Sequence, residues 1–236
     1  MAEKLYTIPV NDALDKDCEC PVCEMYRTLE NDALEFTLGP SYMEEDIRAM
    51  TDKAGFCREH ISMMYGRGNR LGTALMYQTH TYEIISAVEK MKPVSKAGFM
   101  KKPDNSVLIN YINNMKNSCF VCNRIKEFFD RYIITIMYLW KNDESFREKY
   151  KNCKGFCMKH FGLLVESAPS QLSGKHLEEF MECTSELFIQ NMKRVKEDLD
   201  WFIDKFDYRY KDEPWKNSKD ALPRMIEKVN SIHVEE

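Results

Sequence analysis

Cysteine and histidine residues recur in this sequence with the spacing of a metal-ligand set. A Cys-x-x-Cys element at Cys20 and Cys23 is followed by a Cys-x-x-His element at Cys57 and His60. Three thiolates and one imidazole complete a tetrahedron around zinc. Both elements occur twice, and the eight candidate metal ligands are Cys20, Cys23, Cys57, His60, Cys119, Cys122, Cys157 and His160.

A block of about 100 residues is duplicated along the chain. Gly-Phe precedes both Cys-x-x-His elements, at Gly55 and Gly155, and corresponding ligands lie 99 or 100 positions apart. Matching spacing at every ligand position indicates an internal repeat. The sequence therefore predicts two equivalent metal sites rather than a set of unrelated buried cysteines.

Helical periodicity is present in both halves. After Cys119, apolar residues recur every three or four positions through Trp140, which predicts an amphipathic helix. Shorter helices are predicted at about 44–53 and 144–151, another near each Cys-x-x-His element, and a long one at the end of each repeat. No convincing alternation of a strand is visible.

These patterns predict an all-α fold, a duplicated bundle of helical hairpins with two pseudo-symmetric repeats, each carrying a Cys₃His metal site. The first metal-binding repeat is expected at 1–92 and the second at 107–207. A linker rich in Pro and Lys is expected at 93–106. A C-terminal aromatic turn and helix, at 208–236, are expected to pack on the bundle.

The gap of 33 residues between Cys23 and Cys57 suggests how each set would close. A helix of about 15 residues runs roughly 22 Å outward, and a helix of about ten returns most of that distance. This hairpin predicts that Cys20 and Cys23 join Cys57 and His60 of the same repeat. The second repeat would group its own four ligands in the same way.

Several kinds of metal chemistry are consistent with these ligands. Zinc, two ions per chain, matches Cys₃His best. A [4Fe–4S] cluster is the alternative, since it also accepts three cysteines and one other ligand. A metal-free dithiol is the third possibility.

Cys18, Cys153 and Cys183 have no counterpart in the other repeat, and are expected to be incidental or core residues.

Composition narrows the class of protein. The chain has 236 residues, a formal net charge of −4 and 44% hydrophobic residues, values of a globular protein without the basic character typical of nucleic-acid binding. No apolar run approaches the ~20 residues that span a bilayer. An odd number of cysteines, nine, and an N-terminal sequence without an export signal predict a cytoplasmic location. A protein partner is conceivable, and the oligomeric state is left open.

Catalysis is not indicated. A catalytic zinc keeps one position for water, whereas each set here supplies four protein ligands. Motifs of metalloproteases, nucleotide-binding loops and serine hydrolases are absent from the sequence. We therefore expect a structural-metal interaction or scaffold protein. The alternative is a redox or electron-transfer protein that uses iron–sulfur clusters or Cys-x-x-Cys thiols.

Several motifs together resemble an uncharacterised bacterial family that is common among anaerobic Firmicutes. The similarity lies in CPVC…GFCREH, SCFVCNRI…YLWKND…GFCMKHFGLL and the tail KFDYRYKDEPWKNSKDALPR. Members are often labelled "ABC transporter substrate-binding protein". That label does not fit an all-helical chain without an export signal. The resemblance implies no activity, and Lys216 stands where the family pattern would have a small turn residue.

Overall fold

The computed structural model describes residues 6–91 and 105–234, and within these ranges it consists of helices joined by short loops, without strands. The first half contains α1 (Thr7–Asp15), α2 (Pro21–Leu38), α3 (Glu45–Ala54), α4 (Arg58–Gly66) and α5 (Arg70–Met91). The second half contains α6 (Ser106–Lys116), α7 (Phe120–Asn142), α8 (Glu144–Asn152), α9 (Met158–Gln171), α10 (Gly174–Asp204) and α11 (Ala221–Asn230). Short 3₁₀ helices cover Pro40–Met43 and Tyr208–Tyr210.

The helices follow the same order in both repeats. Helices α1 to α5 correspond in turn to α6 to α10, while α11 has no counterpart among the described helices. The predicted all-α, two-repeat fold is confirmed. The first helix of each repeat, α1 and α6, was not predicted, although α1 buries Val10, Ala13 and Leu14 at helical spacing.

The chain forms two compact units that do not coincide with the two repeats. Unit 1 contains Met1–Arg27 and Phe129–Glu236, and unit 2 contains Thr28–Phe128. The boundaries fall inside α2 and α7. Most of the linker expected at 93–106 lies outside the described residues, so the division at 1–92, 107–207 and 208–236 stays a prediction.

Aromatic side chains dominate the core of unit 1. The Trp140 ring meets those of Tyr150 and Phe180 edge-on, each at 5.3 Å between centroids. Tyr150 also contacts Phe156 at 5.1 Å, and its hydroxyl is hydrogen-bonded to that of Thr184 at 2.8 Å. Helix α10 packs on α9 and α11, and α1 packs on α8. This core fixes the helices that carry half of the candidate ligands.

Unit 2 has a smaller core, in which α5 packs on α3, α4 and α6. Leu34, Met64 and Met76 are fully buried there. Among the described residues, no helix has both the length and the apolar character to cross a membrane.

Lys216, the residue that departs from the family pattern, lies in a turn of the C-terminal tail. Lys216 has a φ of +54°, the left-handed region that favours glycine. Its ammonium lies 3.8 Å from the centre of the Trp201 ring, a cation–π contact that offsets part of the backbone cost. A small residue is thus favoured by the backbone, and lysine by the side-chain contact.

Candidate metal centres

Four candidate ligands converge in unit 1, and we call them centre 1: Cys20, Cys23, Cys157 and His160. The His160 Nδ1 lies 3.6, 3.2 and 3.3 Å from the sulfurs of Cys20, Cys23 and Cys157 respectively. The sulfurs of Cys23 and Cys157 are 3.5 Å apart. All four residues are buried, and Cys20 and Cys157 have no exposed surface.

The other four candidate ligands converge in unit 2 and form centre 2: Cys57, His60, Cys119 and Cys122. The His60 Nδ1 lies 3.2, 3.5 and 3.2 Å from the sulfurs of Cys57, Cys119 and Cys122. The sulfurs of Cys57 and Cys122 are 3.9 Å apart. Cys119 and His60 are buried, but Cys57 and Cys122 are partly exposed.

The predicted grouping of ligands within one repeat is wrong. Each centre combines the Cys-x-x-Cys element of one repeat with the Cys-x-x-His element of the other. The reason is helix length. The 15 residues of α2 beyond Cys23 run about 22 Å away from it, whereas the ten of α3 return at most about 15 Å, so the hairpin stops short of Cys23. The mismatch is larger for α7 and α8, with 23 and nine residues.

Each centre lies where two helices begin. Cys57 and Cys157 are the N-cap residues of α4 and α9, and His60 and His160 follow in the first turn. The backbone N–H of Cys23 donates to the Cys20 sulfur at 3.4 Å, at the start of α2. The equivalent bond at the start of α7 joins Cys122 to Cys119, at 3.5 Å. Helix N-termini stabilise negative charge, so both centres favour thiolates.

The two histidines differ in what their second ring nitrogen meets. The His60 Nε2 lies 3.2 Å from the carboxylate of Glu30 on α2. The residue that corresponds to Glu30 in the second repeat is Phe129, 99 positions later, and its ring packs on the His160 ring at 5.7 Å. The His160 Nε2 is buried and has no hydrogen-bond partner among the described residues. Only centre 2 therefore has the carboxylate–histidine pair that fixes the ring and raises its basicity.

The loops that carry the ligands are joined differently in the two centres. In centre 2, the Phe120 N–H donates to the Gly55 carbonyl at 2.9 Å, linking the two ligand loops directly. Pro21 occupies the equivalent position in centre 1 and has no N–H to donate. There, the Lys228 ammonium of α11 binds the carbonyls of both Glu19 and Lys154, one in each loop.

A third contact to centre 1 also comes from the end of α11. The Ser231 hydroxyl donates to the Cys157 sulfur at 3.0 Å. Ser231 has a φ of +60°, a left-handed conformation that is uncommon for a serine. Glu30, Lys228 and Ser231 were not predicted from the sequence, because none of them belongs to a ligand motif. The signal for Glu30 would have been its replacement by phenylalanine in the aligned repeat.

Protonation within centre 2 follows from its contacts. Burial alone would lower the pKa of His60, but hydrogen bonds to Cys119 and Glu30 outweigh it and raise the pKa to about 10. Burial likewise opposes ionisation of Cys119, yet the His60 ring and the backbone lower its pKa to about 6. Burial and the neighbouring thiolate of Cys119 raise the pKa of Cys122. These shifts favour a Cys119 thiolate paired with a protonated His60 in the metal-free protein.

The remaining three cysteines lie outside both centres. All nine cysteines are free of disulfides. Burial raises the pKa of Cys18 and of Cys153 to about 11, so both thiols are protonated at neutral pH and are poor nucleophiles. Burial also raises the pKa of Cys183, on α10. None of the three belongs to a ligand cluster.

The donor sets fit a single tetrahedral ion. A zinc ion with bonds of about 2.3 Å to sulfur and about 2.0–2.1 Å to nitrogen defines a tetrahedron whose edges are roughly 3.5–3.8 Å. The ligand atoms of each cluster all lie within 4.8 Å of one another. Cys20, Cys23, Cys157 and His160 would hold one ion, and Cys57, His60, Cys119 and Cys122 the other.

Comparison with known proteins places the chain in a family without assigning an activity. No curated protein and no solved structure matches it. A family model does match, over residues 1–236. The chain belongs to the family of unknown function DUF6062.

Proposed function

We propose that this chain is a zinc protein in which two Cys₃His centres, one in each unit, stabilise a helical scaffold that acts through its surface rather than by catalysis. The main observation behind this proposal is that, in each unit, four ligand atoms lie within 4.8 Å of one another. Four protein ligands complete the coordination sphere and leave no position for a water nucleophile. This supports a structural metal over a catalytic one.

The position of the ligands along the chain supports a role in stability. In centre 1, Cys23 and Cys157 are 134 residues apart, and in centre 2, His60 and Cys122 are 62 residues apart. A cross-link that closes a loop of about 100 residues removes chain entropy worth about 4–5 kcal/mol from the unfolded state. Metal binding would therefore contribute directly to folding.

Ligand spacing favours a single ion over an iron–sulfur cluster. In a four-iron cluster each cysteine binds a different iron atom, so the sulfurs are held apart by the cluster. Here the sulfurs of Cys23 and Cys157 are 3.5 Å apart, and those of Cys57 and Cys122 are 3.9 Å apart. These separations suit thiolates that share one ion. A tetrahedral site of sulfur and nitrogen ligands is typical of zinc.

A reducing compartment suits this chemistry. Nine unpaired cysteines, six of them in metal-ligand positions, would be oxidised outside such a compartment. We therefore propose a cytoplasmic location.

Elemental analysis of freshly purified protein tests the proposal. We expect about two zinc ions per chain, little iron and no acid-labile sulfide. Removing the metal with a chelator should lower the melting temperature strongly, and adding zinc should restore it. The matched control is Cys183→Ser, which should retain both ions because Cys183 lies outside the clusters. Full thermal stability after loss of both ions would contradict the structural role.

A further inference from the structure

We infer that the two centres have divided roles: centre 1 holds its ion permanently, whereas centre 2 is an exchangeable site that trades its ion with thiophilic divalent cations in solution. This inference rests on the proposed function, since it requires both centres to bind metal. It adds a regulatory property, namely that occupancy of one centre follows the metal supply.

The first argument is access. Exchange at a thiolate-bound ion begins when an incoming cation binds a coordinated sulfur, so the sulfur must be reachable from solvent. Cys57 and Cys122 of centre 2 are partly exposed. In centre 1, Cys20 and Cys157 have no exposed surface and Cys23 is 7% exposed. Two cysteines of centre 2, and none of centre 1, are therefore more than marginally exposed to an incoming ion.

The second argument is the contact of α11 with centre 1. Ser231 donates to the Cys157 sulfur, and it does so from a left-handed backbone conformation that is costly for a residue with a side chain. Lys228 is fully buried and joins the two ligand loops through the carbonyls of Glu19 and Lys154. Helix α11 must separate from these loops before centre 1 can open.

The third argument is charge. Two positive charges on zinc and three negative thiolates leave each centre with a net charge of −1. Position 59 in centre 2 is a glutamate, with Arg58 before it in the sequence, and the Glu30 carboxylate lies 3.2 Å from the His60 Nε2. The corresponding residue beside centre 1 is Lys159. The Glu30 carboxylate favours the approach of cations to centre 2, while centre 1 has a lysine at the matching position 159, and the Lys228 charge beside its loops is paired with Glu19.

The exchange itself needs no redox step. An incoming Cd²⁺ would bind first at the sulfurs of the partly exposed Cys57 and Cys122. The zinc bonds to all four ligands, Cys57, His60, Cys119 and Cys122, would then break in turn as cadmium takes them over, and zinc would leave as Zn²⁺. Both ions keep their charge, and the thiolates pass from one ion to the other without taking up protons. Cadmium is the suitable probe because it is more thiophilic than zinc and differs from it in mass.

The test mixes the two-zinc protein with a small excess of Cd²⁺ and counts both metals in the intact chain by native mass spectrometry. We expect a species with one zinc and one cadmium to accumulate, because the first exchange should be at least ten-fold faster than the second. Proton–cadmium correlation by NMR then locates the cadmium. It should couple to the β-protons of Cys57, Cys119 and Cys122.

Two outcomes would overturn the inference: equal rates for both exchanges, or the first cadmium bound at Cys20, Cys23 and Cys157.

A variant at the end of α11 tests the role of that helix. Ser231→Gly removes the hydroxyl but suits the left-handed backbone, so it should accelerate the slow exchange several-fold and leave the fast one unchanged. Ser170→Ala, an exposed serine on α9, is the control. Protein purified without any metal would instead count against the proposed function.

Discussion

The sulfurs of Cys23 and Cys157 lie 3.5 Å apart although 134 residues separate them in the sequence. Cys23 belongs to the first repeat and Cys157 to the second, so centre 1 is shared between the repeats. Centre 2 has the reciprocal composition. Each repeat therefore supplies half of the ligands to both centres, and neither repeat contains a complete donor set that the structure brings together.

Pairs of ligand substitutions distinguish centres that are shared between the repeats from centres that are formed within one repeat. Cys23→Ser combined with Cys157→Ser removes two ligands of one centre, so about one zinc per chain should remain. Cys23→Ser combined with Cys57→Ser removes one ligand from each centre, and both ions should be lost or weakly held. Elemental analysis after passage over a weak chelating resin checks both. If the first double variant lost both ions and the second kept one, the ligands would be grouped within each repeat instead.

Glu30→Gln should weaken metal binding at centre 2 by 10–100-fold, the usual effect of losing a carboxylate that orients a ligating histidine. Centre 1 should be unaffected, because Phe129 occupies the equivalent place there. Competition with a chromophoric chelator measures the two affinities. Glu35→Gln, an exposed carboxylate on the same helix, is the matched control. Equal weakening of both centres would show that Glu30 acts on the fold rather than on His60.

Zinc binding at centre 2 should release protons and strengthen as the pH rises. In the metal-free protein at pH 7, His60 is protonated, with a pKa of about 10, and so is Cys122, whose pKa burial raises. Both must lose their protons to bind the ion, so affinity falls as pH falls. Below about pH 6, Cys119 also takes up a proton and the dependence becomes steeper.

Calorimetric titration in two buffers of different ionisation enthalpy counts these protons. The Cys157→Ser variant should be used, because only centre 2 then binds zinc tightly. We expect at least two protons released per ion at pH 7. A binding heat that does not change with the buffer would show that the metal-free ligands are already deprotonated.

Lys228→Met should destabilise unit 1 by about 3–5 kcal/mol, because it leaves the buried carboxylate of Glu19 without one of its two cationic partners. The carbonyls of Glu19 and Lys154 also lose their shared donor. Denaturant unfolding, followed by tryptophan fluorescence to which the buried Trp140 contributes, reports the change. Lys219→Met, at an exposed position just before α11, should change stability by less than about 0.5 kcal/mol. Equal effects of the two substitutions would contradict this role of Lys228.

Tyr150→Phe should cost about 1–3 kcal/mol, because the buried hydroxyl of Thr184 loses its partner. The ring contacts with Trp140 and Phe180 remain, so the packing contribution is unchanged. Tyr138→Phe, on the exposed face of α7, is the control and should be neutral. Equal stability of the Tyr150→Phe and parent proteins would mean that the Thr184 hydroxyl finds another hydrogen-bond partner.

The helical class, the duplication and the eight clustered residues follow from the sequence, because periodicity and motif spacing are local properties. Helices α7 and α10 were predicted from their apolar stripes, and helices α4 and α9 from the motifs that they follow. The residue types also limit the chemistry: three thiolates and an imidazole suit a closed tetrahedral ion whichever repeat supplies them.

Which Cys-x-x-Cys element meets which Cys-x-x-His element was decided by the tertiary structure. Two identical motif pairs can be combined in two ways, and the spacing alone does not distinguish them. The lengths of α2 and α7 do, since the helix that follows each one is too short to return to its start. Burial, and with it the difference between an enclosed centre 1 and an accessible centre 2, depends on α11, which packs against α9 from a distant part of the chain.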